Sequence, residues 1–326
     1  MKLPEPYTAA AEKTDYIGIP LKNMKTDAVI NAQLYIKVGS DHYVKYRDTS
    51  LEFDEKIRRR LEERDQTHLY VQADDTKSLS SYLESNLKSA LENENLELKE
   101  KAEVLYETTI YLVRELLADP RSKELVRQSK RLVESTVQFI LSDRSIFRHL
   151  IDLSKVDYYT YSHCTDVLTY AVLLGKRLGL RDGQEILDLG QSAILHDIGK
   201  AFVNPEITLK PGPLTEEEFA EMKNHSVYGY TVLSSTGELN RQVLHAVRHH
   251  HEDLTRSGYP QRLSATEIGL DVRIITCADI FSAMTTRRVY RKAYQVFPAL
   301  TAMKEMVGKK IDQRVFREFV MMLGEA

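Results

Sequence analysis

The rhythm of hydrophobic and polar positions along this chain changes near residue 95. Before it, short alternating segments predominate. Residues 27–47 read as a hairpin, with Ala32, Leu34, Ile36 and Val38 on one face, a turn at Gly39-Ser40-Asp41, and a return strand from Tyr43 to Tyr46. A charged helix with Ile57 and Leu61 on one side is expected over 54–65, a strand from His68 to Val71, and a helix over 78–93 carrying Leu79, Leu83, Leu87 and Leu91. Residues 1–95 therefore read as a small α+β module. From Leu96 to Leu153 the period is helical, broken once at Asp119-Pro120, with Leu105, Leu112, Leu116, Val133, Ile140 and Phe147 as its apolar stripe. Residues 96–149 are either a connector or the first helices of the next domain. Beyond Leu153 the spacing predicts helices over 162–180, 183–196, 239–250 and 271–286, and from Pro298 to about Met306. A further one opens at the capping box Thr215-Glu-Glu-Glu218. No strand alternation survives there. The chain thus reads as α+β overall: a small N-terminal α+β module followed by an all-α helical domain over 150–326.

Composition narrows the classes. The 326 residues are 42% apolar and 29% charged, ordinary for a globular protein of two domains. A net charge of −3 gives no global field to recruit a nucleic acid polymer or an anionic membrane, so any phosphate recognition must be local. Cys164 and Cys277 stand far apart, which argues against a disulfide framework or thiolate zinc site and for a reducing compartment. The first residues, MKLPEPYTAAAEK, lack the apolar core of a signal peptide, and no apolar run approaches a bilayer span. A cytoplasmic location is expected, and the charged helices of 96–149 leave room for a homodimer.

Candidate chemistry centres on His196-Asp197-Ile-Gly-Lys200. Ile194, Leu195 and Ile198 surround the His-Asp pair, and a carboxylate taken out of water costs several kcal/mol unless a cation compensates it. Eight of the ten histidines fall between His149 and His251, far more than scatter would place there. Candidate ligands are His163, His196, Asp197, His225, His250, His251 and Asp279, the last inside the apolar run Ile274-Ile-Thr-Cys-Ala-Asp-Ile-Phe281. Imidazole and carboxylate without thiolate suit iron or manganese. Seven ligands exceed the needs of one ion. Asp197, with two carboxylate oxygens, can bridge two divalent ions, a pair suited to in-line displacement at phosphorus. His42 and His68 read as packed or solvated, and His245 and His249 as structural.

The ordered series of motifs continues through Leu209-Lys-Pro-Gly-Pro-Leu-Thr215, His225, His250-His251-Glu252, Gly258-Tyr259-Pro260, Ala278-Asp279-Ile-Phe-Ser-Ala-Met-Thr285 and Arg288-Val-Tyr-Arg-Lys-Ala293. In it the chain resembles the HD-GYP family of cyclic di-GMP phosphodiesterases, a branch of the HD superfamily, over roughly residues 150–310. The resemblance implies an all-α fold and metal-dependent hydrolysis of a 3′–5′ link in cyclic di-GMP. It implies one metal on His163, His196, Asp197 and Asp279, and a second sharing Asp197 and adding His225, His250 and His251. Lys200 is then the cation that stabilises developing charge. Arg288 and Arg291 hold substrate phosphates, and Tyr259 lines the pocket. The N-terminal module resembles one found ahead of such domains, which implies signalling to a protein partner. Two departures stand out. Tyr159 replaces a glutamate of members with a third metal, so two ions are expected. Thr255-Arg256 replaces an Asp-Gly pair before Gly258, which removes an acceptor and backbone freedom. That departure keeps one rival in play, a weakly active cyclic di-GMP sensor that signals to a partner; against a third reading, a generic HD hydrolase of other nucleotides or phosphate monoesters, stand Gly258-Tyr259-Pro260 and residues 288–293.

Overall fold

In the computed structural model, the described residues are 3–7, 16–21, 24, 28–30, 32–39, 42–47, 51–72, 76–143, 145–154, 160–180, 183–286 and 294–325. The chain forms two compact units, one of residues 10–108 and one of residues 1–9 with 109–326.

The smaller unit is built on β1 (Tyr16–Pro20), β2 (Ala28–Ile30), β3 (Leu34–Val38), β4 (His42–Arg47), β5 (Leu51–Phe53) and β6 (His68–Gln72), with α1 (Glu55–Glu62) and α2 (Thr76–Glu92). Four strands make an antiparallel sheet in the order β1-β6-β3-β4, while β2 pairs with β5. Leu34, Leu69 and Val71 are fully buried, and the pairing of Leu34 with Val71 puts them on one face. Tyrosines of the other face pack on one another, Tyr16 stacking on Tyr43 at 4.1 Å. Asp54 starts α1 by accepting from the Ile57 N–H, and Ile57 and Leu61 are its buried side. The hairpin read from the alternation forms as β3 and β4. Residues 28–30 do not join it; they pair with Leu51–Phe53, a non-local partner that alternation within one segment does not reveal.

The larger unit is helical. Its elements are α3 (Leu98–Ala118, within which the division falls), α4 (Lys123–Ser142), α5 (Ile146–Ser154), α6 (Thr160–Leu178), α7 (Gly183–Leu195), a 3₁₀ turn (Ile198–Phe202) and α8 (Pro205–Thr208). Then follow α9 (Glu216–Lys223), α10 (His225–Thr236), α11 (Arg241–His249), α12 (Leu270–Thr285), α13 (Val296–Lys304) and α14 (Gln313–Gly324). The break at Asp119-Pro120 separates α3 from α4, and the Thr215 capping box opens α9 with both of its hydrogen bonds formed. α10 was not legible as a helix from its sequence. His225, Ser226, Tyr228, Gly229, Val232, Leu233 and Thr236 are all buried, so it lacks the single apolar stripe that marks a surface helix. Tyr170 on α6, Phe281 on α12 and Phe319 on α14 meet edge to face at 5.0–5.7 Å and tie these helices together. Among the described residues no helix is long and apolar enough to cross a membrane.

Candidate metal centre

Six elements bring the candidate side chains to one place. α6 supplies His163, and the end of α7 delivers His196 and Asp197 into the 3₁₀ turn that carries Lys200. α10 begins at His225, α11 ends into His250 and His251, and α12 supplies Asp279. Gly199 makes this possible. A Cβ there would stand 1.8 Å from the His225 carbonyl oxygen, so only glycine lets the turn lie against the start of α10.

Two groups result. Ligand atoms of His163, His196 and Asp197 lie within 4.8 Å of one another, as do those of His225, His250 and His251. Asp197 faces both. Its Oδ2 is 3.3 Å from His196 Nε2 and 3.8 Å from His163 Nε2, whereas its Oδ1 is 3.5 Å from His225 Nε2. Asp279 does likewise, with Oδ1 3.1 Å from His163 Nε2 and Oδ2 3.9 Å from His251 Nδ1. Lys200 Nζ donates to Asp197 Oδ2.

The hydrogen bonds set the state of the rings. Nδ1 of His196, His225 and His250 donates to the carbonyls of Ala193, Met222 and Val247 at 2.6–2.8 Å. A carbonyl only accepts, so Nδ1 carries the proton and Nε2 presents its lone pair to the centre. Ser282, one turn beyond Asp279, contacts His163 Nδ1 at 2.9 Å. His225 Nε2 and His250 Nε2 stand 3.2 Å apart, lone pair toward lone pair. His196 Nε2 is buried with no hydrogen-bond partner. Both are unfavourable arrangements without a cation. Adjacent nitrogen ligands on one ion, with bonds of about 2.1 Å, stand roughly 3.0–3.4 Å apart. The donor set therefore fits divalent metal.

Electrostatics agree. Burial pushes the His225 imidazole down to about 4 and His251 to about 3, and takes His250 well below its ordinary range, so all three are neutral at pH 7. Burial raises the Asp197 carboxyl, but Lys200, His196 and His225 outweigh it and hold the group ionised, well below the usual carboxylate range. Burial lowers His196, yet the Asp197 charge overcomes this and leaves it raised.

The segment after α11 closes one side. Buried Glu252 accepts from the Gln261 and Leu263 N–H groups at 2.6 and 2.9 Å, and His249 Nε2 lies 2.6 Å from Gln261 Oε1. Asp253 Oδ1 accepts from Thr255 N–H, Thr255 O–H and Ser257 N–H at 2.8–2.9 Å. A Cβ on Gly258 would fall 2.5–2.6 Å from the backbone of His251, Glu252 and Asp253. This packing sets Tyr259 against His251, rings 4.8 Å apart. Arg256 has φ +63°, in the left-handed region that glycine suits. Glu252 was legible only as part of a motif, and the turn made by Asp253 was missed: an Asp two residues before a Thr is common, and nothing in the spacing marks it as the acceptor of a loop. Arg288, Arg291 and Tyr159 lie outside the described residues.

A family model described as HD domain matches residues 123–315. The chain belongs to the HD-domain family. Among its curated relatives, a cyclic di-GMP phosphodiesterase of Pseudomonas aeruginosa is 33% identical over 193 residues, 59% of this chain and 46% of its own length. A 3′3′-cGAMP-specific phosphodiesterase of Vibrio cholerae is 37% identical over 158 residues, 48% of this chain and 34% of that one. A cyclic di-GMP phosphodiesterase response regulator of Xanthomonas campestris is 38% identical over 146 residues, 44% and 38% of the respective chains. The HD-domain chain thus spans less than half the length of each. A solved structure described as an HDG"Y"P protein from Bdellovibrio bacteriovorus shares the fold, with a TM-score of 0.71 at 20% identity over 95% of this chain and all of that one. The family resemblance and the fold class read from the motifs are borne out.

Proposed function

We propose that this HD-domain chain is a phosphodiesterase that opens cyclic di-GMP to the linear dinucleotide at a centre of two divalent ions, iron or manganese. The observation that carries the reading is Asp197, whose two oxygens face two different groups of histidines. In this reading one ion takes His163, His196, Asp197 and Asp279, and the other takes Asp197, His225, His250 and His251. When bound, such a pair lowers the pKa of a water and clamps the phosphoryl oxygens for an in-line displacement.

The chain's own residues do the rest. The carbonyls of Ala193, Met222 and Val247 engage Nδ1 of three imidazoles and so orient each Nε2 toward the centre. Lys200 keeps Asp197 ionised and adds a fixed positive charge beside the reacting phosphate. Tyr259 walls the His251 side and excludes water there. Arg288 and Arg291 are assigned the remaining phosphate, where guanidinium makes bidentate contacts. The N-terminal module is assigned the signal, passed to or from a protein partner.

The test is product analysis on anaerobically prepared, metal-loaded protein. Linear dinucleotide from cyclic di-GMP, faster than from 3′3′-cGAMP or a phosphate monoester, supports the reading. The alternative is the sensor, a chain with Thr255-Arg256 in this loop that binds cyclic di-GMP but hardly cleaves it. Tight cyclic di-GMP binding with no linear product establishes that rival instead.

A further inference from the structure

α9 buries none of its residues, yet it carries an aromatic side chain, Phe219, that is 48% exposed. A lone exposed Phe on a surface helix needs no explanation. Phe219 is not alone. Its ring meets Tyr259 edge to face at 6.5 Å and 86°, and Tyr259 in turn lies over His251 at 4.8 Å and 6.3 Å from His225. A continuous aromatic wall therefore runs from solvent to the metal-binding histidines. Lys223, one turn along α9, holds its ammonium 4.9 Å from the centre of the Phe219 ring. The wall thus ends in a half-exposed aromatic ring that carries a positive charge over one face and leaves the other for a ligand.

That pairing is the chemistry of nucleotide recognition. Bases stack on aromatic faces whatever their sequence, and cations beside them take phosphate. The capping box and the Lys210–Glu218 ion pair, 2.6 Å, fix the first turn of α9, so the wall stands preformed. Resting on the phosphodiesterase reading, we propose that Phe219 is a specificity-determining residue that stacks a nucleobase of the substrate, with Lys223 adding to the attraction for its negative charge. The site then discriminates a nucleotide diester from a bare phosphate by contacts that Tyr259 separates from the histidines.

Equilibrium binding to the metal-loaded full chain tests this, comparing cyclic di-GMP with inorganic phosphate, which reaches the ions but has no base. Phe219→Ala weakens cyclic di-GMP roughly ten-fold or more, leaves phosphate affinity unchanged, and Phe219→Trp restores dinucleotide binding. Unchanged cyclic di-GMP affinity in Phe219→Ala overturns the proposal. So does an equal loss for phosphate, which marks a structural role. Wild-type protein that binds no cyclic di-GMP overturns it too. The parent reading fails separately, when Phe219-dependent binding is present and no linear product forms.

Discussion

Arg256 holds a left-handed backbone that costs an L-residue about 1–2 kcal/mol, and the turn is kept by three hydrogen bonds to Asp253. Glycine there removes the strain and returns part of the gain as unfolded-state entropy. Arg256→Gly should raise stability by roughly 1 kcal/mol, read as a higher denaturant midpoint at constant slope; a lower midpoint would show that the arginine side chain holds the turn. Gly199 is the opposite case. Gly199→Ala drives a methyl group into the His225 carbonyl and should cost about 3 kcal/mol, with loss of metal binding. The same residues mark what the sequence could and could not tell. His196, Asp197 and Asp279 stood out as ionisable groups in apolar runs, and His163, His225, His250 and His251 through the clustering of histidines and the ordered motifs. Ser282 behind His163, and the second face of Asp279, depend on how α12 crosses α6 and leave no mark in spacing.

At the scale of elements, capping chemistry was readable where a side chain acts on its own helix. Thr215 starts α9 as its motif indicated, and Asp312 starts α14 by accepting from the Arg314 and Val315 N–H groups. Asp312 also receives Arg273 of α12, which links two helices of the core. Burial raises the Asp312 carboxyl, and the backbone donors and Arg273 outweigh it, so its pKa in the fold is depressed. A depressed carboxyl stabilises fully above its unfolded value of about 3.9 and loses that contribution as pH falls through the folded value. Asp312→Ala should therefore cost about 1–2 kcal/mol at neutral pH, and the difference from wild type should vanish in acid. A penalty that persists below the folded value would assign the effect to packing instead. Pairings between distant strands were not readable: β1 and β5 find partners 48–56 and 21–25 residues away, and their short segments carry no local period.

For the whole molecule the metal centre couples binding, pH and stability. Ions that bind only the folded chain should stabilise it by about 2.7 kcal/mol at a hundred times their Kd, seen as a rise in Tm. His196, raised above its ordinary 6.5 by Asp197, must lose its proton before its Nε2 can bind metal. Metal affinity should therefore fall as pH drops through neutrality, with proton release on binding measurable by calorimetry in buffers of different ionisation enthalpy. Pronounced tightening in acid would contradict the assignment. The hydrophobic period changes near residue 95, whereas the two units divide between residues 108 and 109, inside α3, where no local pattern marks a boundary. The central claim is that Asp197 joins two metal sites into one hydrolytic centre. Its most direct test is the metal-to-protein ratio of anaerobically purified Asp197→Ala, measured beside its cyclic di-GMP turnover and against wild type. The account predicts about two ions per wild-type chain and joint loss of metal and turnover in the variant. Full metal occupancy with retained turnover would contradict it.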